Sequence, residues 1–420
     1  MAAEPARRLF AHDPNYPDRP WAEAHHRADY ALNTRLDHGG DEWIGGWALG
    51  AGGMGSAGVW LRQDENHNVV SRIVAKETWL GTRSWGAMES WAGDVTNLAT
   101  RRPMEHHITE KMATRTDNSV QYLGGSVDRR RMSHRTLLEL CGHGTLDDII
   151  NIYASHLPRQ IERNGNRHIP EGTENIPEPF LWYVFDSLAK AVAAMAGDRV
   201  VDRERMARCD VKEVVHRDIK PQNVFFRKPD DNYFPAYPVP VLGDYGLAIE
   251  TDRHDRFNPE LYRDSGTPGF FAAEQKRYVH TAGLLPAGPS LNRLGAKTNV
   301  WAIGMTMIAL INLDRGPEQV DYSTPQRPEI EQPTHVSDEL QDLVNTCVAF
   351  SPAGRPIPRV LLRRIRAAMP RHDRGMAAQN PAPRRGARYP NRLYYPIDRF
   401  PAHKPVPANP LRQPFATHWD

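Results

Sequence analysis

The alternation of apolar and polar positions sets a patterned body between two unpatterned ends. Residues 1 to about 40 are polar, with scattered Pro, His and Arg and no sustained period. From Glu42 the run WIGGWALGAGGMGSAGVWL interleaves glycine with Trp, Leu and Val, which predicts two strands joined by a glycine-rich turn. Arg72 to Glu77 predicts another strand, and Thr136 to Cys141 one that runs into a connector at Gly142. A helix carrying Glu105 is expected because Ile108 and Met112 follow at i+3 and i+7. Thr145 reads as the N-cap of a helix beginning Leu146-Asp147-Asp148. Pro179 opens a helix over Phe180 to Met195, with Trp182, Phe185, Leu188, Ala189 and Val192 on one face. Val300 to Ile311 is apolar on all sides, the pattern of a helix buried in a large core. Leu157 to Glu178 and Asp198 to Val211 are polar and read as inserted segments. The expected organisation is an N-terminal extension over 1–41, a globular domain over 42–369, and a disordered Pro/Arg-rich tail over 370–420.

Composition narrows the setting. The 420 residues carry a formal net charge of +2, which gives no bulk reason to expect a nucleic-acid or membrane partner. The tail's arginine excess is read first as solubilising, with contact to nucleic acid or acidic partners as the alternative. Cys141, Cys209 and Cys347 lie far apart without CxxC spacing, which argues against a disulfide framework or a zinc site and for a reducing compartment. The stretch MAAEPARRLFAHDP lacks the apolar core of a secretory signal, and Val300 to Ile311 is shorter than the roughly 20 residues a membrane span needs. A cytoplasmic or nuclear location is expected.

The candidate chemistry gathers in VHRDIKPQNVFF, Val215 to Phe226. One short loop there holds Asp218, Lys220 and Asn223 between apolar flanks, and the turn Asp244-Tyr245-Gly246 follows the apolar Val239 to Leu242. Two carboxylates, an amide and a lysine suit Mg²⁺ and phosphate, because Mg²⁺ takes oxygen ligands and shares them with substrate phosphates. Upstream, Gly50 to Gly55 fits GxGxxG, which alone is equally a plain glycine-rich turn. A dinucleotide fold needs a helix straight after the third glycine, whereas Val59-Trp60-Leu61 continues as strand.

HRDIKPQN followed by DYG, with the glycine-rich hairpin and Val74-Ala75-Lys76 before it, resembles the protein kinase family from about Glu42 to Met369. The resemblance implies an α+β, two-lobed fold. A small β-rich N-lobe with one key helix would occupy about 42–140, and a larger, mainly α-helical C-lobe about 141–369. It implies ATP and Mg²⁺ as cofactors and Ser/Thr hydroxyls of proteins as substrates, since lysine two residues after the aspartate is the Ser/Thr-kinase form. Gly50, Gly52, Gly53 and Gly55 would cover the phosphates, and Lys76 would hold them with Glu105 as its partner and Glu110 as runner-up. Ala57, Ala75, Leu138 and Phe225 would line the adenine slot, and Glu139 and Cys141 would offer it backbone groups. Asp218 would orient the attacking hydroxyl and accept its proton, Lys220 would neutralise the γ-phosphate, and Thr267 would support both. Asn223 and Asp244 would ligate the metal. His216 would pack with Tyr245, Arg217 would answer to the activation segment Gly246 to Phe271, and Glu274 would pair with Arg355.

Three departures from the family pattern stand out. Asn299 stands where the family usually has aspartate before x-Trp; Arg263 stands where an activating phosphothreonine is common; Ala57 and Phe225 differ from the usual adenine-slot residues. Asp264 or Glu260 is expected to act as a fixed charge for Arg217, or Ser265 to be phosphorylated. A kinase-fold scaffold is the second reading, motivated by Asn299 and Ala57. A small-molecule phosphotransferase is third, disfavoured because the GTPG…AAE segment would lack a job.

Overall fold

The glycine- and tryptophan-rich run folds as an antiparallel sheet. Strands β1 (Arg35–His38), β2 (Asp41–Gly52), β3 (Gly55–Gln63), β4 (Val69–Trp79), β5 (Tyr122–Asp128) and β6 (Ser133–Glu139) stand in the order β1-β2-β3-β4-β6-β5. The computed structural model describes residues 35–38, 40–52, 55–94, 96–97, 100–156, 161–163, 166–168, 175–200, 206–208, 212–277, 279, 282–285, 292–316, 328–331, 336–369, 393, 395–398 and 415–416. Successive residues of a strand face opposite sides, so Val59, Trp60 and Leu61 feed two clusters. Trp60 packs with Trp43, Ile73, Ala75 and Leu137, while Val59 and Leu61 pack with Val69 and Leu140. Helix α1 (Met104–Ala113) buries Ile108 and Met112 completely, as its spacing predicts. The first strand lies inside the segment expected to be an unpatterned extension. Its sequence RLDH is polar, and its pairing with β2 rests on backbone hydrogen bonds that hydropathy does not report.

The chain falls into two compact units. One holds the residues up to Glu110, Val120–Gly142 and Ile397–Ala416; the other holds Lys111–Ser119 and His143–Pro396. Lys111–Ser119 was expected to go with the strands. It joins the second unit because Asn118 Nδ2 donates to Pro240 O at 3.0 Å and Leu242 N–H donates to Asn118 O at 3.0 Å.

The second unit contains helices α2 (Leu146–His156), α3 (Glu178–Met195), α4 (Ala296–Asn312), α5 (Asp338–Cys347) and α6 (Pro358–Ala368). Two short ladders accompany them, β7 (Glu213–Val215) with β10 (Ile249–Thr251), and β8 (Val224–Arg227) with β9 (Val239–Leu242). Thr145 caps α2: its Oγ1 accepts from Asp148 N–H at 3.2 Å while Asp148 Oδ2 accepts from Thr145 N–H at 2.8 Å. Helix α3 differs from its one-faced prediction. It is buried all round from Pro179 to Met195 apart from Lys190, because it packs against α4, α6 and β9. The two expected insertions contain hairpins, Ile161–Arg163 with Asn166–His168 and Asp198–Val200 with Met206–Arg208.

Part of the tail is also placed, against the expectation of disorder over 370–420. Leu393 is buried, the Tyr395 ring meets His143 at 5.6 Å, and His143 Nδ1 lies 3.3 Å from Pro396 O. Ile397–Asp398 pairs with Phe415–Ala416, and Asp398 binds Arg72 at 2.5 Å. These few apolar and acidic anchors among prolines leave no period for a sequence reading to detect. Residues 370–392 lie outside the described residues. Among the described residues no helix is long and apolar enough to cross a membrane.

Candidate active site

In the first unit the glycine-rich hairpin is paired up to its turn, with Gly50 opposite Ala57 and Gly52 opposite Gly55. Gly55 has no room for a side chain: a Cβ there would fall 1.8 Å from Glu77 O. Gly53 lies outside the described residues. Lys76 faces Ala57 across the β3–β4 ladder and follows the fully buried Ala75. Its Nζ donates to Glu105 Oε1 at 2.7 Å, whereas Glu110 binds Arg102. Leu138 stands opposite Val74 in β6, and Cys141 is buried just beyond it. The N–H of Glu139 donates to Gln121 O at 3.2 Å, so that group serves the sheet.

In the second unit one loop carries the rest. Strand β7 delivers the chain to His216, and β8 takes it away after Asn223. Asp218 is buried among donors: Thr267 Oγ1 reaches Oδ1 at 2.6 Å, Lys220 Nζ reaches Oδ2 at 3.0 Å, and Asn223 Nδ2 reaches Oδ2 at 3.1 Å. Lys220 Nζ also donates to Thr267 Oγ1 at 2.7 Å, which closes an Asp218–Lys220–Thr267 triangle. Thr267 lies far along the chain from the loop, yet the GTPG turn returns it to the aspartate. Gly266 sits at φ +127 with a would-be Cβ 2.2 Å from Arg217 O, so glycine is required for that approach.

The Val224–Leu242 pair continues one step, with Gly243 N–H donating to Asn223 O at 3.0 Å. Asn223 and Asp244 therefore flank the same end of one hairpin. Asn223 turns its amide nitrogen to Asp218 O and Oδ2, which leaves its oxygen as the atom suited to a metal. Asp244 takes a left-handed conformation at φ 60 and is half-buried. One carboxylate and one amide oxygen are hard donors that fit Mg²⁺ when phosphate oxygens and water complete its shell. Phe225 is half-buried in β8 opposite Val241.

His216 is fully buried, and burial depresses its pKa below the ordinary histidine value. Its Nδ1 accepts from Asp218 N–H at 3.3 Å and its Nε2 faces Gly243 O at 3.1 Å, so the neutral ring with the proton on Nε2 satisfies both. Its ring meets Tyr245 at 5.0 Å. A buried tyrosine hydroxyl needs a partner. Tyr245 finds Ser119 Oγ at 2.8 Å, a residue the sequence reading did not single out. Tyr245→Phe is expected to lower stability by about 1 kcal/mol, measured by chemical denaturation. An unchanged midpoint would remove the hydroxyl from the account of this turn.

Asn299 braces the loop from both sides. Its Oδ1 accepts from His216 N–H at 2.9 Å and its Nδ2 donates to Val214 O at 2.8 Å. An aspartate can do only the first, and would set a second oxygen against the Val214 carbonyl. Asn299→Asp, although it installs the commoner residue, is thus expected to cost about 1–3 kcal/mol. A variant as stable as the wild type, by thermal and urea midpoints, would show that the Val214 bond contributes little.

Glu260 and Asp264, the fixed charges expected for Arg217, have arginine partners of their own. Glu260 pairs with Arg263 at 2.7 Å and Asp264 with Arg277 at 3.6 Å. Arg217 instead donates to Leu247 O at 2.6 Å and Tyr262 O at 3.2 Å, both on the segment that follows the Asp244 turn. Arg263 is buried and donates to Glu274 O at 3.2 Å. Glu274 itself forms the expected pair, with Arg355 Nη1 on Oε1 at 2.7 Å and Nη2 on Oε2 at 3.0 Å.

Residues 204–364 match the family described as Protein kinase domain. "Serine/threonine-protein kinase dst3" of Dictyostelium discoideum is 24% identical over 188 residues, covering 41% of this chain and 29% of that protein. "Inactive serine/threonine-protein kinase PLK5" of Mus musculus is 25% identical over 243 residues, covering 56% and 34%. "G2-specific protein kinase fin1" of Schizosaccharomyces pombe is 26% identical over 253 residues, covering 59% and 30%. The chain thus spans about a third of the length of these relatives.

Proposed function

We propose, on the protein kinase domain match over residues 204–364, that the chain is a two-lobed protein kinase transferring the γ-phosphate of ATP to Ser or Thr hydroxyls of proteins. The observation that carries this reading is the closed triangle of Asp218, Lys220 and Thr267, with Asn223 on the same carboxylate. Phosphoryl transfer asks the protein mainly for positioning and charge neutralisation. Thr267 and Asp218 present hydroxyl and carboxylate oxygens on which a substrate hydroxyl can be aligned. As its oxygen attacks the γ-phosphorus, its proton passes to the Asp218 carboxylate and the bond to the leaving ADP oxygen breaks. Lys220, 3.0 Å from Asp218, carries the positive charge that meets the transferred group. Lys76, steadied by Glu105, serves the α- and β-phosphates. Mg²⁺ held by Asn223 and Asp244 would supply further charge neutralisation at the phosphates.

A kinase-fold scaffold is the second reading, and one relative is itself named inactive. Transfer from [γ-³²P]ATP to a generic basic protein separates the two. Mg²⁺-dependent label on Ser or Thr, lost with a chelator, is expected. No label, together with no thermal stabilisation by Mg-ATP, would overturn the enzyme reading.

A further inference from the structure

The Lys76–Glu105 pair is set among buried polar side chains of the first unit, where apolar packing would be the ordinary arrangement. Lys76 and Thr78 lie two residues apart in β4 and so share a face. His134 stands directly opposite Thr78 in β6, and Thr136 opposite Lys76. From α1 come Glu105 and His106. Thr78, Glu105, His106, His134 and Thr136 are all buried.

Each carboxylate oxygen of Glu105 has its own neighbour. Oε1 takes the Lys76 ammonium at 2.7 Å. Oε2 accepts from Thr78 Oγ1 at 3.2 Å and lies 3.8 Å from His134 Nε2. His134 Nδ1 has no hydrogen-bond partner, and burial depresses the histidine's pKa. At that distance the neutral ring packs beside the carboxylate without a hydrogen bond. The His106 ring lies edge-on to His134 at 4.8 Å, with its own pKa pushed down to about 3 by burial. A buried carboxylate oxygen without a donor is costly. Without the Thr78 hydroxyl, Glu105 would swing toward water and away from Lys76.

We infer that Thr78 is a positioning residue for Lys76: it holds Glu105 Oε2 so that Oε1 stays aimed at the lysine. Thr78 lies in no motif of the proposed kinase reading, and the inference rests on that reading only for the consequence in nucleotide binding. Its first consequence needs no nucleotide. A lysine held as the ammonium by a fixed carboxylate reacts slowly with amine reagents, because only the free amine is nucleophilic.

The test labels full-length chain with trinitrobenzenesulfonate and follows modification of Lys76 by peptide mass spectrometry. Glu105→Gln sets the fast limit. Thr78→Val, which keeps the shape and deletes the hydroxyl, is expected to speed labelling about fivefold, and Thr78→Ser to restore the wild-type rate. Equal rates in wild type and Thr78→Val, or a Ser variant as fast as Val, would overturn the assignment. A general loss of stability would lower the melting temperature of both Thr78 variants without this split. In parallel, Thr78→Val is expected to raise KM for ATP about tenfold with a smaller change in kcat. Lys76 labelling that splits as expected in a protein that binds no ATP would leave the positioning standing and remove the kinase reading.

Discussion

Asp218→Asn is expected to lower phosphoryl transfer by about 100- to 10,000-fold, the range typical of a lost general base. The substitution is nearly isosteric and leaves Thr267, Lys220 and Asn223 around the site, but an amide cannot accept the substrate's proton. It also puts a neutral group where Lys220 now has a carboxylate at 3.0 Å. Nucleotide binding should survive, because the phosphate-facing groups proposed here are Lys76, Asn223 and Asp244. The measurement is steady-state transfer beside Mg-ATP-dependent thermal stabilisation. Equal transfer by variant and wild type would sink the assignment of Asp218, and loss of stabilisation together with activity would point to a collapsed loop.

Glu274→Ala is expected to destabilise the fold by about 3–5 kcal/mol, the cost of leaving one member of a buried ion pair behind. Both side chains have 0% exposure. The glutamate also accepts from Thr298 Oγ1 at 2.9 Å. Arg355 is held in place by the carbonyls of Ala349, Lys297 and Phe350 and lies over the Trp301 ring at 4.8 Å. It cannot follow its lost partner to solvent without breaking those contacts. Replacing both residues, as Glu274→Leu with Arg355→Leu, should cost less than Glu274→Ala alone, since no unpaired charge stays buried. Urea midpoints decide between these outcomes. A single variant within 1 kcal/mol of wild type, on the scale of an exposed pair, would show that the guanidinium is hydrated after all.

Much of the candidate site was readable because it is local. Asp218, Lys220 and Asn223 sit on one loop whose apolar flanks become β7 and β8. The helix carrying Glu105 followed from the spacing of Ile108 and Met112, and the choice of Glu105 over Glu110 followed from the same face. Other features were not readable. The period of α3 marks one apolar face, whereas neighbours cover it on all sides. Strand β1 and the tail residues near Asp398 carry no period, and backbone ladders or single ion pairs hold them.

The partners of buried polar groups divide along the same line. Tyr245 was readable as part of the Asp244-Tyr245-Gly246 turn, but Ser119, which its hydroxyl meets, lies 126 residues away. Asn299 was readable only as a departure from the family pattern, whereas its second atom meets Val214 O in the fold. Arg217 faces backbone carbonyls, and the acids proposed for it are spent on Arg263 and Arg277. By itself the sequence determined which residues form the phosphate-suited loop and which helices and strands are buried, because side-chain type and periodicity act over a few neighbouring residues. Only the tertiary structure decided which donor meets which acceptor. That choice depends on burial and on distances of about 3 Å between segments far apart in the chain.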